Sequence, residues 1–253
     1  HFLLATAAAS LMATSAFAQD MFLDDATILA SDGTSQTADI QMRDGVITAM
    51  GPELTASDGS ESMSGVWVSP ALVTAVSTLG IVDIGGERST NDTSANTDLA
   101  SASLRAAESF NPREVHIANA RRRGVLYAAI VPSPTGDTIF GGTGLVAILD
   151  GADDSILDDT GLIHIALGES GAQRAGGSRA AAMAQLRGAL DDVRRDFDTQ
   201  GEGDVLRRRD ARALRDVVAG RVPLMISASR ASDLLAIIAL KADYPSLDII
   251  ISG

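Results

Sequence analysis

Cysteine is absent from the 253-residue chain, which excludes disulfides and thiolate metal sites together. Aromatic residues make up only 4%, too few for a platform that stacks sugars or bases. Histidine occurs only as His1, His116 and His164, and no two stand at the i, i+2 or i, i+4 spacing that chelates zinc. Positive charge is also scarce: 20 Lys and Arg against 33 Asp and Glu leave a formal net charge of -13. That balance repels phosphate, so nucleic acid is excluded as a partner. Solubility accounts for the acidity. Beyond residue 20 no run is apolar enough, for long enough, to span a bilayer.

What is present is the make-up of a folded soluble protein, 45% apolar and 21% charged. The length suits one large core, or a core with a small accessory domain. The opening "HFLLATAAASLMATSAFAQD" is an apolar run closed by the small residues of "AFA". It reads as a secretory signal peptide over residues 1–18, cut after Ala18. A membrane anchor is the rival reading, but the run is short for a span. The chain starts without Met or a basic n-region, so the record is expected to begin inside the leader. Export, to a periplasm, is the expected location, with no membrane span once the leader is removed. A cysteine-free chain has nothing to mispair there.

Residues 22–68 carry short strand patterns joined by polar turns. "ATILASDG" and "ADIQMRDGVITAMGP" each hold an Asp-Gly step, and the second is flanked by apolar runs, a strong hairpin signal. From residue 70 the texture changes. "ALVTAV", "GVLYAAIVP", "GLVAIL", "GLIHIAL", "VPLMISA" and "LDIIIS" are continuous apolar runs, the pattern of parallel strands buried on both faces. Helical patterns lie between them. Met183, Leu186, Leu190, Val193 and Phe197 form one stripe. Asp210 is placed to cap a helix carrying Leu214, Val217 and Val218 and ending at Gly220. Another helix starts near Ser232 with Leu234, Leu235, Ile238 and Leu240. The alternation predicts an α/β fold, a barrel or an open sheet. Six parallel strands are expected, short of the eight that close a barrel. The run into "IISG" ends on a buried strand with no helix to cover it, so residues 69–253 are expected to be the first part of a longer domain.

Few residues focus chemistry. His116 in "NPREVHIANARRRG" reads as a surface or packed histidine. His164 in "GLIHIALGES" reads as a buried, hydrogen-bonded histidine, with a pocket role as the alternative. Among the carboxylates Asp98, Asp137, Asp153, Asp154, Glu169 and Asp233 lie near element boundaries, and Glu169 follows a strand end. A lone carboxylate without a base, nucleophile or metal defines no reaction. "SPTGDTIFGGTGLVAI" is glycine-rich but has neither the P-loop lysine nor the dinucleotide spacing. Gly141, Gly142 and Gly144 are expected to allow a tight turn or a close backbone approach. No "GxSxG" elbow occurs. Ser170 in "GESGA" has small neighbours, yet no base for it can be named.

"GVWVSPALVTAVSTLG" resembles the amidohydrolase superfamily, in particular its secreted imidazolonepropionase-like branch. There a small β segment leads into a strand reading Pro-Gly-Leu-Ile-Asp-Ala-His-x-His-Leu-Gly. Pro70, Leu72, Ala75, Leu79 and Gly80 match it. Ala71, Val73 and Thr74 replace the glycine, isoleucine and aspartate. Val76 and Thr78 stand where the two metal-binding histidines would be. "ADIQMRDGVITAMGP", "AAESFNPREVHIANARRRGVLYAAIVP", "FGGTGLVAIL", "AGGSRAAAMAQLRGALDD" and "RVPLMISASRASDLLAII" also resemble that branch. A further ligand histidine falls on Ser227 and a polar position on Ser229. Ser252 offers no imidazole in "LDIIISG". The resemblance implies a (β/α)8 TIM-type barrel, truncated here, with a small N-terminal β-sandwich segment. It also implies metal-dependent hydrolysis of carbon–nitrogen bonds other than peptide bonds, with a last-strand aspartate expected beyond Gly253.

The ligand positions Val76, Thr78 and Ser227 are therefore degenerate. No cofactor is expected on these residues, zinc being the alternative, and no catalytic residue stands out. An amidohydrolase-like protein without metal-dependent C–N hydrolysis is the main expectation. The alternatives are a hydrolase with a relocated site partly beyond Gly253, or a binding module for a small cyclic amide or peptide-like ligand. Glu169, His164, Ser229 and Ser252 are the pocket candidates.

Overall fold

A computed structural model describes residues 20–95, 101–134, 136–195 and 205–253. The expected leader, Asp98 and Phe197 lie outside these residues. By internal contacts the chain divides into two units, residues 1–70 and 71–253.

In the first unit β1 (Met21–Leu29) pairs antiparallel with β2 (Ser35–Arg43), and β2 with β3 (Val46–Gly51). Strands β4 (Glu61–Ser64) and β5 (Trp67–Val68) both run parallel to β1. Both Asp-Gly steps turn the chain. The Asp32 carboxylate accepts from the Thr34 N–H at 2.9 Å and from its hydroxyl at 2.7 Å. Asp44 and Gly45 have φ of 50° and 77°, the paired positive values of a type I′ hairpin. Buried Asp39 accepts from the Asp25 and Leu54 N–H groups at 2.9 and 2.8 Å, which satisfies the backbone where β1 bulges. Leu23, Ala26 and Ile40 form the small core. The described residues supply one sheet, and the second layer that a sandwich requires is not among them.

The second unit is a mixed α/β structure whose six-stranded sheet curls into a half-barrel. In chain order it contains β6 (Leu72–Ser77), α1 (Val115–Arg122), β7 (Val125–Ile130), β8 (Phe140–Ile148) and β9 (Ile156–Ala166). There follow α2 (Gly168–Arg174), α3 (Arg179–Arg194), α4 (Arg208–Val218), β10 (Leu224–Ser227), α5 (Ala231–Asp243) and β11 (Ile249–Ser252). Strand neighbours follow chain order from β6 at one edge to β11 at the other.

The expectation of six parallel strands is corrected at β8, which runs antiparallel to both β7 and β9. The described residues of its connections, 131–134, 136–139 and 149–155, contain no helix. A parallel crossover needs a dozen residues or more, so these links return the chain as hairpins. Continuous apolar texture cannot reveal that reversal, because β8 is buried on both faces, as a parallel strand would be.

Side chains alternate across the sheet. Ile163, Ile165, Leu224 and Ile226 join the helix-side core with Leu186, Leu190, Leu214, Val217, Ile237 and Leu240. Ala128, Ile130, Leu145 and Ala147 pack with Ile117 of α1. The intervening Val131, Leu162 and Met225 form a separate cluster on the opposite face. Tyr244 joins α5 to α3: its hydroxyl donates to the Asp191 carboxylate at 2.9 Å, and the Arg194 guanidinium lies 4.1 Å from its ring centre.

The helices hold one correction. Arg207, not Asp210, occupies the N-cap of α4. Asp210 sits in the first turn, buried, and one of its oxygens accepts from the Ser101 N–H, the Ser103 N–H and the Ser103 hydroxyl at 2.8–2.9 Å. It therefore anchors a distant loop. On α5, Ile237 and Leu240 are buried while Leu235 and Ile238 stay exposed. Gly220, with φ 74°, follows the end of α4 where the sequence places a stop.

Candidate functional site at the strand ends

In barrel-type sheets chemistry gathers where parallel strands end, because the loops there carry the variable residues. Here those ends bring His164, Ser227 and Ser252 together. Ser227 and Ser252 are the last residues of β10 and β11 and are register partners. His164 on β9 is level with Met225, and Ala166 is level with Ser227. Period two then puts His164 and Ser227 on one face as diagonal neighbours, the face of Leu162 and Met225.

His164 is 7% exposed and uses both ring nitrogens. Nδ1 lies 2.7 Å from the Pro132 carbonyl oxygen, and Nε2 lies 2.9 Å from the Ser227 hydroxyl. A carbonyl only accepts, so Nδ1 carries the hydrogen and donates it. In the neutral ring Nε2 is then the acceptor for the Ser227 O–H. Burial pushes the His164 pKa below the ordinary histidine value, partly opposed by the Pro132 hydrogen bond. Neutral imidazole is thus the form this environment favours.

Gly141 makes the contact possible. A Cβ built there would lie 2.5 Å from the Pro132 carbonyl oxygen and 3.0 Å from His164 Nδ1. The expected close backbone approach is found, though within β8 rather than before it. Any side chain at 141 would displace the acceptor that orients the imidazole.

The other expected residues lie apart. Val76 is 45% exposed in β6, at the opposite edge of the sheet from β11, and Thr78 is exposed just past that strand. Ser229 is exposed after β10, while Glu169 and Ser170 are exposed at the start of α2. Asp233 accepts from Arg179 Nε at 3.3 Å, and Asp153 pairs with Arg113 at 2.8 Å. His116 sits in the first turn of α1, where its N–H and ring both meet Glu114. A cavity of about 460 Å³ has Pro132 in its lining, together with Asp92, Ser103, Arg105, Glu108 and Arg209.

The donor set does not fit a hydrolytic zinc. Such a site needs three or four imidazole, thiolate or carboxylate ligands. Valine offers no lone pair, a neutral hydroxyl is a weak ligand, and both nitrogens of His164 are engaged. Among the described residues, no group of three or more His, Cys, Asp or Glu side chains could hold a metal ion.

The His164–Ser227 contact is what sequence reasoning missed. His164 lies inside one apolar run and Ser227 closes the strand of another, each beside neighbours that pack toward the helices, and that alternation was the available signal.

No family model matches the sequence, and no curated protein matches it. Among solved structures, the fold matches an amidohydrolase from Thermotoga maritima MSB8, with a TM-score of 0.73 at 20% sequence identity. The match covers 91% of this chain and 63% of that one, so this chain spans less than two thirds of its neighbour's length. The likeness establishes an amidohydrolase-like fold.

Proposed function

We propose that this chain is an exported, periplasmic member of the amidohydrolase superfamily, of the imidazolonepropionase-like branch, that lacks metal-dependent C–N bond hydrolysis. It keeps the strand-end surface for binding a small cyclic amide or peptide-like molecule. What supports this reading is a fold that matches an amidohydrolase, together with the sequence resemblance that sets Val76 and Thr78 at the first-strand metal positions. The third ligand position, Ser227, holds a hydroxyl already bonded to His164. Water activation by a bound metal needs the ion fixed by several strong donors, and hydroxyls do not supply them.

Hydrolysis assays on the natural-length protein test this. Cyclic imides, lactams and dipeptides should show no turnover above background, with or without added zinc. Zinc-stimulated turnover of any of them would overturn the reading. A second reading, a hydrolase with a relocated site, is favoured by one observation only: the buried imidazole in contact with Ser227.

A further inference from the structure

The geometry points to a metal-independent acyl-transfer site in which Ser227 is the nucleophile, His164 its general base, and Pro132 the group that orients the base. The inference stands apart from the proposed loss of metal chemistry and does not require it.

The contacts have the arrangement of an activated nucleophile: a hydroxyl against a base, and the base held by a third group. Ser227 Oγ is 2.9 Å from His164 Nε2, and His164 Nδ1 is 2.7 Å from the Pro132 oxygen. The tautomer is therefore fixed with its lone pair facing the serine. Two constraints hold it there: Gly141 leaves room for the Pro132 carbonyl, and β9–β10 pairing holds the imidazole beside the hydroxyl. Exposure differs in the useful sense. His164 is buried, whereas Ser227 and its register partner Ser252 are half-buried at the strand ends, where an acyl group can approach.

The substrate class follows from the third group. A carboxylate in that position would stabilise the imidazolium formed during attack, but the Pro132 carbonyl is neutral and does so more weakly. Good leaving groups are then required, which selects small carboxylic esters over amides. Ser227 Oγ bonds to the ester carbonyl carbon as its proton passes to His164 Nε2. The carbon–alkoxide bond breaks, and the alkoxide leaves with that proton. Water then attacks the acyl-serine and gives a proton to Nε2. The Ser227 oxygen leaves and recovers the proton. The sum is ester plus water to acid plus alcohol.

Labelling with a fluorophosphonate, followed by peptide mass spectrometry, tests the assignment on the unmutated protein. Serine oxygen displaces fluoride at phosphorus, so the adduct reports nucleophilicity directly. Label on Ser227 is expected. Absence of label on the folded protein, or label only at another serine, would overturn the inference. Ser227→Ala should reduce both labelling and 4-nitrophenyl acetate hydrolysis at least tenfold. His164→Gln should slow labelling at Ser227 at least tenfold, and an unchanged rate would remove the base from the scheme. Chelator should leave all rates unaltered, and loss of labelling in chelator would place the reaction on a metal instead. Zinc content is measured separately, so failure of the label leaves the reading of Val76 and Thr78 standing.

Discussion

His164 couples folding to pH. Burial lowers its pKa below the ordinary histidine value, so as pH falls through that value the unfolded chain binds more protons than the native one. The native contribution is complete above the unfolded pKa and diminishes as pH falls toward the lowered folded value. Melting temperature should therefore drop between pH 7 and pH 5 more steeply in the parent than in His164→Gln. Parallel slopes in a thermal denaturation series would contradict the assignment. The residue itself was legible, since a histidine inside an apolar run reads as buried and hydrogen-bonded. Its partner was not, because Ser227 lies 63 positions away and only sheet register brings the two together. Asp210 was misread for a related reason. An acid near a helix start resembles a cap, and nothing local reveals that its acceptors serve a loop more than a hundred positions earlier.

Among the elements, the segment 101–104 is held by hydrogen bonds to two others. Asp210 of α4 receives three donors from Ser101 and Ser103, while Thr143 of β8 bonds to Ala102 and Leu104 backbone oxygens at 3.1 and 2.6 Å. Asp210→Ala removes a buried charged acceptor and strands its donors, at a cost of about 2–3 kcal/mol. Ser103→Ala, which keeps both backbone donors paired, should cost about 1 kcal/mol or less. Urea denaturation of both variants checks the order, and equal losses would contradict the role given to Asp210. Strand and helix placement followed from apolar runs and 3.6-residue stripes, which burial dictates directly. The direction of β8 did not, because direction is set by connection length and both faces of that strand are buried. Leu235 and Ile238 lie within an apolar helix pattern yet stay exposed, and composition alone does not tell which side of α5 finds a partner.

At the level of the whole molecule, a half-barrel sheet of amidohydrolase type carries hydroxyl and aliphatic side chains where the resemblance places metal ligands. The fold was legible because scaffold residues such as Pro70, Leu72, Leu79 and Gly80 retain their pattern. For the chemistry, the resemblance implies only a replacement at Val76, Thr78 and Ser227, and what a hydroxyl does there depends on the group beside it. Described helices include none long and apolar enough to cross a membrane. The central claim, that the strand ends hold no hydrolytic metal, is tested most directly by zinc content. Elemental analysis of the natural-length protein, purified without chelator and dialysed, should find well under one zinc per chain; a full equivalent that survives dialysis would contradict it.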